Sequence, residues 1–307
     1  SASTASNIQA KFKFTGKSAH AALSPHLGRS ALDAVELMNV GANFLREHII
    51  PDARLHYAIT NTGGDAPNVV QVDAEVRYLV RAPVISQTTE IFDRLKKVAE
   101  GAAMMTETTV TVQFEKAVSN LIPNTTIERV LEKQLNHVGL PHFTADELQF
   151  AQDMALKNPD SHSIIADLSQ LFSKLKLDYH ALMQDKLFCD FLLPIKGTNL
   201  IAPGSTDVSD VSWIVPLSQI FLVSNSVNAL GHHWTSVSQY GMSIGHKGML
   251  QAAKILALTA CEFFQHTELV EEAKREHHAN LAGFTYHCPI PPEIAPDIPQ
   301  WVQNSDI

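Results

Sequence analysis

Between Ile8 and Phe114 the apolar residues switch repeatedly between strand and helix spacing, and that alternation leaves few folds open to the chain. Residues Ile8 to Thr15 alternate, with Ile8, Ala10, Phe12 and Phe14 set against Gln9, Lys11 and Lys13, which predicts a half-buried strand. From Ser30 to His48, apolar residues including Leu32, Val35, Leu37, Val40 and Phe44 recur at helical spacing, and Pro51 is expected to end that helix. Arg54 to Thr60 predicts a second strand and Gly63 to Pro67 a turn. Val69 to Val80 predicts a third strand, with Val70, Val72, Ala74, Val76, Tyr78 and Val80 on one face. Thr88 to Met104 predicts a second helix and Thr108 to Phe114 a fourth strand. The order β-α-β-β-α-β is that of the split-βαβ, ferredoxin-like sandwich: two helices on one face of a four-stranded antiparallel sheet. The other face and the edge strand then need a cover, which points to dimerisation.

From Ser119 the pattern changes. Helices are expected at Thr125–Val138, with Thr125 as the cap, and after the capping box Thr144-Ala-Asp-Glu147. Residues 158–190 are polar and irregular around a helical core at 164–177, and a Gly/Pro loop follows at 198–204. One buried strand is expected at Gln219–Ser224, an apolar helix at Ile244–Phe264 and a charged helix at Thr267–Asn280, ahead of a proline-rich tail from Pro289 to Pro299. One strand is too few for an α/β sheet. The Ile244–Phe264 helix is apolar on nearly all sides and needs neighbours. The expectation is a domain of which part is missing.

Composition narrows the function classes. With 23 Lys and Arg against 32 Asp and Glu, the net charge of −9 argues against nucleic acid, whose phosphates need a basic face. No apolar run reaches the ~18–20 residues of a membrane span, and the start, Ser1 to Ser6, has no signal-peptide pattern. Three widely spaced cysteines, Cys189, Cys261 and Cys288, suit a reducing cytoplasm. Fifteen histidines are compatible with a metalloenzyme.

Three clusters carry polar chemistry. The loop Gly16 to Arg29 holds His20 and His26, whose spacing does not match the i, i+4 pair of a helical zinc site. Arg29, at a helix start, opposes the dipole unless it has another purpose. Asn68 and Arg81 are separated by an odd number of residues, so a regular strand points them to opposite faces, and Arg77 competes with Arg81. The loop Gly204-Ser-Thr-Asp207 and the pair His232-His233 flank the expected buried strand, with Asp207 or Asp210 as a ligand or second partner. Adjacent histidines diverge, so only one of them is a ligand candidate, and zinc needs three or four ligands. His246 and His277-His278 read as surface or packing residues, and Glu271-Glu272 as a solvated face.

Together these runs resemble a known family. Gly16-Lys-Ser-Ala-His20-Ala-Ala, Ser24 to Val35, His56 to Asn61, Ala66 to Gln71, Ala74 to Arg81, Ala99 to Thr108, Ser205 to Trp213, His232-His-Trp234, Ile244 to Met249 and Tyr286 to Pro291 follow the order of the zinc-dependent aminoacylase, glutamate carboxypeptidase and indoleacetyl-amino-acid hydrolase metallopeptidases. The likeness is to the branch that hydrolyses p-aminobenzoyl-glutamate. It implies an α/β chain made of a ferredoxin-like lid, or dimerisation, domain over residues 7–118 and the C-terminal part of a two-zinc catalytic domain over 119–307. It implies metal-assisted hydrolysis of the amide of N-acyl amino acids, with zinc, or manganese, at the active site. By the same resemblance His20 reaches across a homodimer to the oxyanion, Asn68, Arg81 and Ser205 bind substrate with Arg81 on its carboxylate, and His232 is a metal ligand. The family's other ligands and its glutamate base precede the lid. The chain alone is therefore expected to be inactive, cytoplasmic, homodimeric and open to a second homologous subunit. The rival reading is a non-catalytic substrate-binding or dimerisation subunit.

Overall fold

The computed structural model describes residues 2–158, 169, 172–173, 176–183, 186–193, 200–202 and 204–294. By contacts the chain divides into two compact units. One comprises residues 3–122 and 201–214 and continues from residue 284. The other comprises residues 123–200 and 215–283, together with the first two residues.

The first unit is built on the expected sandwich. Strands β1 (Ser6–Thr15), β2 (Arg54–Asn61), β3 (Asp73–Ala82) and β4 (Thr109–Val118) form one antiparallel sheet in the order β2-β3-β1-β4. Helices α1 (Ala31–Arg46) and α2 (Ile85–Thr106) cover one face. Alternation decides which side chains they cover. Phe12 and Phe14 of β1 and Val76, Tyr78 and Val80 of β3 are buried with Met38 of α1 and Leu95 of α2. Phe12 meets Tyr78 edge to face at 5.9 Å, a favourable aromatic geometry. The Tyr78 hydroxyl donates to Asn39 Oδ1 at 2.6 Å, so the polar tip that this tyrosine carries into the core is satisfied.

Two expectations for this unit are corrected. The third strand begins at Asp73, not Val69, because residues 68–72 give their backbone groups to the loop after β1 instead of to the sheet. Asn68 therefore lies off the strand, and the parity argument linking it to Arg81 falls. Helix α1 also ends at Arg46, ahead of Pro51.

The second unit is helical among its described residues: α3 (Thr125–Val138), α4 (Ala145–Leu156), α5 (Trp234–Tyr240), α6 (Ser243–Gln265) and α7 (Thr267–Leu281), with a short helix at Tyr179–Met183. Asn124, not Thr125, caps α3: its Oδ1 accepts from Ile127 N at 3.1 Å while its Nδ2 donates to Ala273 O of α7. Glu276 accepts from Thr125 N and Thr126 N, placing a carboxylate on the positive end of α3. Residues 219–224 form no strand. No described strand of this unit lies alongside to pair with them, and Phe221 is 87% exposed. Most of the 164–177 core and the tail beyond residue 294 lie outside the described residues. Helix α6 buries Ile244 and Ile255 but leaves Met249, Leu250, Leu256 and Phe264 exposed.

Glu147 ties α4 to α6. The capping box at Thr144 is present, and the same carboxylate accepts from Lys247 Nζ at 2.6 Å. Burial by itself would raise the Glu147 pKa, but bonds from Lys247, Ser243 and Thr144 N–H outweigh it and bring the value to about 2. A folded pKa below the unfolded one contributes stability at pH above ~4.5, lost as pH falls toward ~2. Glu147→Gln should therefore lower the melting temperature at pH 7 and flatten its decline through that acid window. An unaltered acid limb in thermal melts would refute the assignment.

Candidate functional site

The loop that follows β1 and the segment that precedes β3 leave the same end of the sheet, and their backbones bond to one another. Gly16 N donates to Val72 O at 2.7 Å, Val70 N to Ala19 O at 3.0 Å, Ala21 N to Asn68 O at 2.9 Å and Ala31 N to Gln71 O at 2.9 Å. Lys17 and Arg29 exchange both backbone bonds at 2.8 Å, which closes the loop. His20 and Asn68 are thereby held side by side, both exposed. His20 Nδ1 accepts from the N–H groups of Ala22 and Leu23, each at 3.2 Å. With that lone pair in use, the imidazole proton belongs on Nε2, which is then a donor. Arg29 finds its purpose here. Its Nε and Nη2 bond Glu107 at 2.9 Å and its Nη1 bonds Gly28 O, clamping the loop from behind. His26 is exposed and contributes its carbonyl to Arg29.

Arg81 stands at the opposite end. The β1–β3 register runs from Asn7↔Arg81 to Thr15↔Asp73, about 26 Å at ~3.3 Å per residue. Arg81 Nη1 donates to Ser205 Oγ at 3.1 Å. The competition with Arg77 is resolved by a bulge. The β1–β4 register shifts between Gln9 and Ala10, and Glu115 on the bulged strand takes Arg77 in a two-point pair at 2.7 Å. Those bonds outweigh the burial that would raise the Glu115 pKa and hold it below its ordinary value. Lys11 and Lys13 lie within 3.6 Å of Glu75 on the same face. Structure thus brings His20 together with Asn68, and Arg81 together with Ser205, but keeps the two pairs a sheet length apart within one chain.

His232 and His233 are told apart by backbone. His233 caps α5, its Nδ1 2.8 Å from Thr235 Oγ1. His232 is exposed and left-handed, at φ 58°, a conformation costly for a non-glycine residue and frequent at functional positions. The acidic candidates have structural duties. Asp207 caps the short helix Val208–Val211, and Asp210 accepts from Ser119 N and from the Tyr286 hydroxyl. Burial and that carboxylate push the Tyr286 pKa up. Among the described residues no three His, Cys, Asp or Glu side chains converge in a way that could hold a metal ion. Sequence reasoning gave no role to Arg54 or His56, which share the Arg81 end of the sheet; only the β2–β3 register exposes their proximity.

Residues 3–104 match the peptidase dimerisation domain. The chain is 45% identical over 295 residues to the B subunit of the p-aminobenzoyl-glutamate hydrolase of Escherichia coli (strain K12), covering 95% of this chain and 61% of that protein. It is 25% identical over 271 residues to the Xaa-Arg dipeptidase of Mus musculus, covering 88% of this chain and 51% of the relative. The crystal structure of an aminobenzoyl-glutamate utilization protein from Klebsiella pneumoniae aligns over 44% of this chain and 34% of its own, at 24% identity and a TM-score of 0.38. The chain thus spans about three fifths of the length of the first of these relatives.

A Cβ at Gly16 would stand 2.0 Å from Arg29 O. Gly16→Ala should therefore open the loop closure, and amide exchange at Lys17 and Arg29 should accelerate by an order of magnitude or more. Unchanged protection would show that the loop does not depend on this close approach.

Proposed function

We propose that this chain is part of a metal-dependent amidohydrolase that cleaves the amide of N-acyl amino acids, p-aminobenzoyl-glutamate first among them. The observation that carries this reading is the separation of His20 and Asn68 from Arg81 and Ser205 by the length of the sheet. No small substrate spans that distance within one chain. Strand β2 is an open edge, and pairing two such edges antiparallel about a two-fold axis sets one protomer's His20 end beside its partner's Arg81 end. Beside that edge, Leu37, Val40 and Phe44 make an exposed apolar stripe on α1, with Tyr57 and Ile59 exposed on β2. This supports a homodimer formed through residues 7–118, the lid domain, with 119–307 as the catalytic portion.

In that dimer Arg81, steadied by Ser205, binds the free carboxylate of the substrate, because a guanidinium fork matches a carboxylate. His20 donates its Nε2 proton to the oxygen that becomes negative as the amide carbon turns tetrahedral. Asn68, beside it, orients the acyl portion. His232 is the described residue we assign to the metal, zinc or manganese, and a complete centre requires ligands beyond the described residues. Free Cys189, Cys261 and Cys288 support a reducing, cytoplasmic setting, and no described helix is long and apolar enough to cross a membrane. The Escherichia coli relative is named as one subunit of its hydrolase, which supports a second homologous subunit here.

His20→Ala should lower kcat and Arg81→Ala should raise KM in the metal-loaded enzyme. At a substrate concentration well below the KM of the Arg81 variant, mixing the two impaired dimers should restore roughly a quarter of the wild-type rate, since half of randomly mixed dimers are hybrid and each hybrid regains one of two sites. No recovery on protomer exchange would overturn the shared site and favour a non-catalytic, substrate-binding role. Val40→Asp should shift sedimentation from dimer to monomer and abolish that recovery. A dimer that persists would put the interface elsewhere.

A further inference from the structure

The bridge that closes the His20 loop joins two cations. Lys17 and Arg29 stand directly opposite one another and exchange both backbone bonds at 2.8 Å. Directly opposite residues of an antiparallel pair point to the same side, with Cβ atoms about 5 Å apart, so like charges there weaken the pair. Both residues line one open cleft of about 540 Å³, together with Leu27, Glu107 and Thr108. His26 is the other titratable group on its wall, and none of His20, Asn68, Arg81 or Ser205 belongs to it.

A single carboxylate serves this pair. Glu107 ends α2 in the left-handed conformation, at φ 52°, where glycine is the usual residue. Its Oε2 lies 2.9 Å from both Nε and Nη2 of Arg29. That edge of a guanidinium grips a carboxylate or phosphate at two points, yet here both nitrogens share one oxygen. Nη1 is committed to the loop through Gly28 O at 2.7 Å. The Glu107 side chain is 71% exposed, so water competes for it and the pair is weak. Lys17 is exposed, and its ammonium has no ion pair or hydrogen bond among the described residues.

We propose that this cleft binds the phosphate group of a small monoester, which takes the Nε and Nη2 edge of Arg29 from Glu107 and bridges it to Lys17. A phosphate ester carries close to two negative charges at neutral pH and so offsets both cations of the bridge, which Glu107 alone does not. The cleft falls within the range of small-molecule sites, about 300–1,000 Å³, and is larger than a bare phosphate fills. Leu27 gives the rest of the ester an apolar contact. Binding removes the repulsion between Lys17 and Arg29 and stiffens the loop whose backbone fixes the state of His20. The inference holds whichever reaction that loop serves.

The test titrates phenyl phosphate and inorganic phosphate into the full-length protein at low ionic strength, followed by phosphorus NMR and by amide exchange. Phenyl phosphate should saturate, bind several-fold more tightly than inorganic phosphate, and slow exchange at Lys17 and Arg29 several-fold. Lys17→Gln should raise its Kd about tenfold or more, the scale of one charge-assisted contact, and Lys17→Arg should retain most of the affinity. Glu107→Gln, which removes the competing carboxylate, should lower Kd several-fold. Both side chains are exposed, so the variants should melt with wild type. Arg81→Gln should leave Kd unchanged; lost binding there puts the phosphate in the substrate site and overturns the proposal. So does an absence of saturation, a Kd unmoved by Lys17→Gln, or weaker binding in Glu107→Gln. Equal affinity for the two phosphates overturns the ester and assigns the cleft to the free anion. Unchanged exchange at saturation overturns the link to the His20 loop.

Discussion

The antiparallel register between Ser6–Thr15 and Asp73–Ala82 is the constraint on which the first unit depends. A slip of one residue would carry either Phe12 and Phe14 or Val76, Tyr78 and Val80 to the solvated face, and bring Lys11 or Glu75 and Arg77 under the helices in their place. Burial of the aromatic and branched side chains excludes that slip far more strongly than any surface ion pair could. Once the register is set, the loop after Thr15 and the segment before Asp73 must leave the sheet together. Their backbone groups, with no further strand to bond, satisfy each other. The nearness of His20 to Asn68 is thus a consequence of the core, as is the distance of both from Arg81.

The open face shows a graded electrostatic pattern. Between Lys11, Lys13, Glu75, Arg77 and Glu115 the charges alternate, and partial burial of Glu115 strengthens its bond to Arg77. Exposed pairs of this kind contribute little to stability, typically below ~1 kcal/mol each. Their effect is to pair the charges in the middle of the face with one another, while Arg54, His56 and Arg81 lie at its end.

Much of this architecture is legible in the sequence because it rests on burial, and burial writes a period. The order of strands and helices from Ser6 to Val118 follows from alternation alone. Failures occur where hydrogen bonding overrides pattern. Val69 and Val70 continue the alternation of β3, yet their backbones belong to the His20 loop. Residues 219–224 are apolar enough for a strand but have no described neighbour to pair with, and a lone strand cannot satisfy its own peptide groups. Thr125 and Asn124 are both competent caps, and the choice of Asn124 depends on Ala273, 149 residues away. The bulge at Glu115 that commits Arg77 is likewise invisible to spacing. Of the candidate site, single residues were readable and their grouping was not. Arg54 and His56 join Arg81 only through a cross-strand register that no local pattern records.

The state of His20 follows from the same backbone. A histidine that ligates a metal must present a lone pair, and the neutral ring has only one. Here the N–H groups of Ala22 and Leu23 take the Nδ1 lone pair. Coordination through Nε2 would move the proton to Nδ1 and leave two loop amides facing an N–H. The loop therefore selects the tautomer that donates outward and disfavours the one that binds metal. It does so with backbone groups alone, which no substitution other than proline removes directly. That explains why a loop so rich in small residues, Gly16, Ala19, Ala21, Ala22 and Gly28, can hold one imidazole in a defined state without packing against it. The side chain is oriented from behind by main-chain amides, and its exposed nitrogen is left to whatever stands opposite.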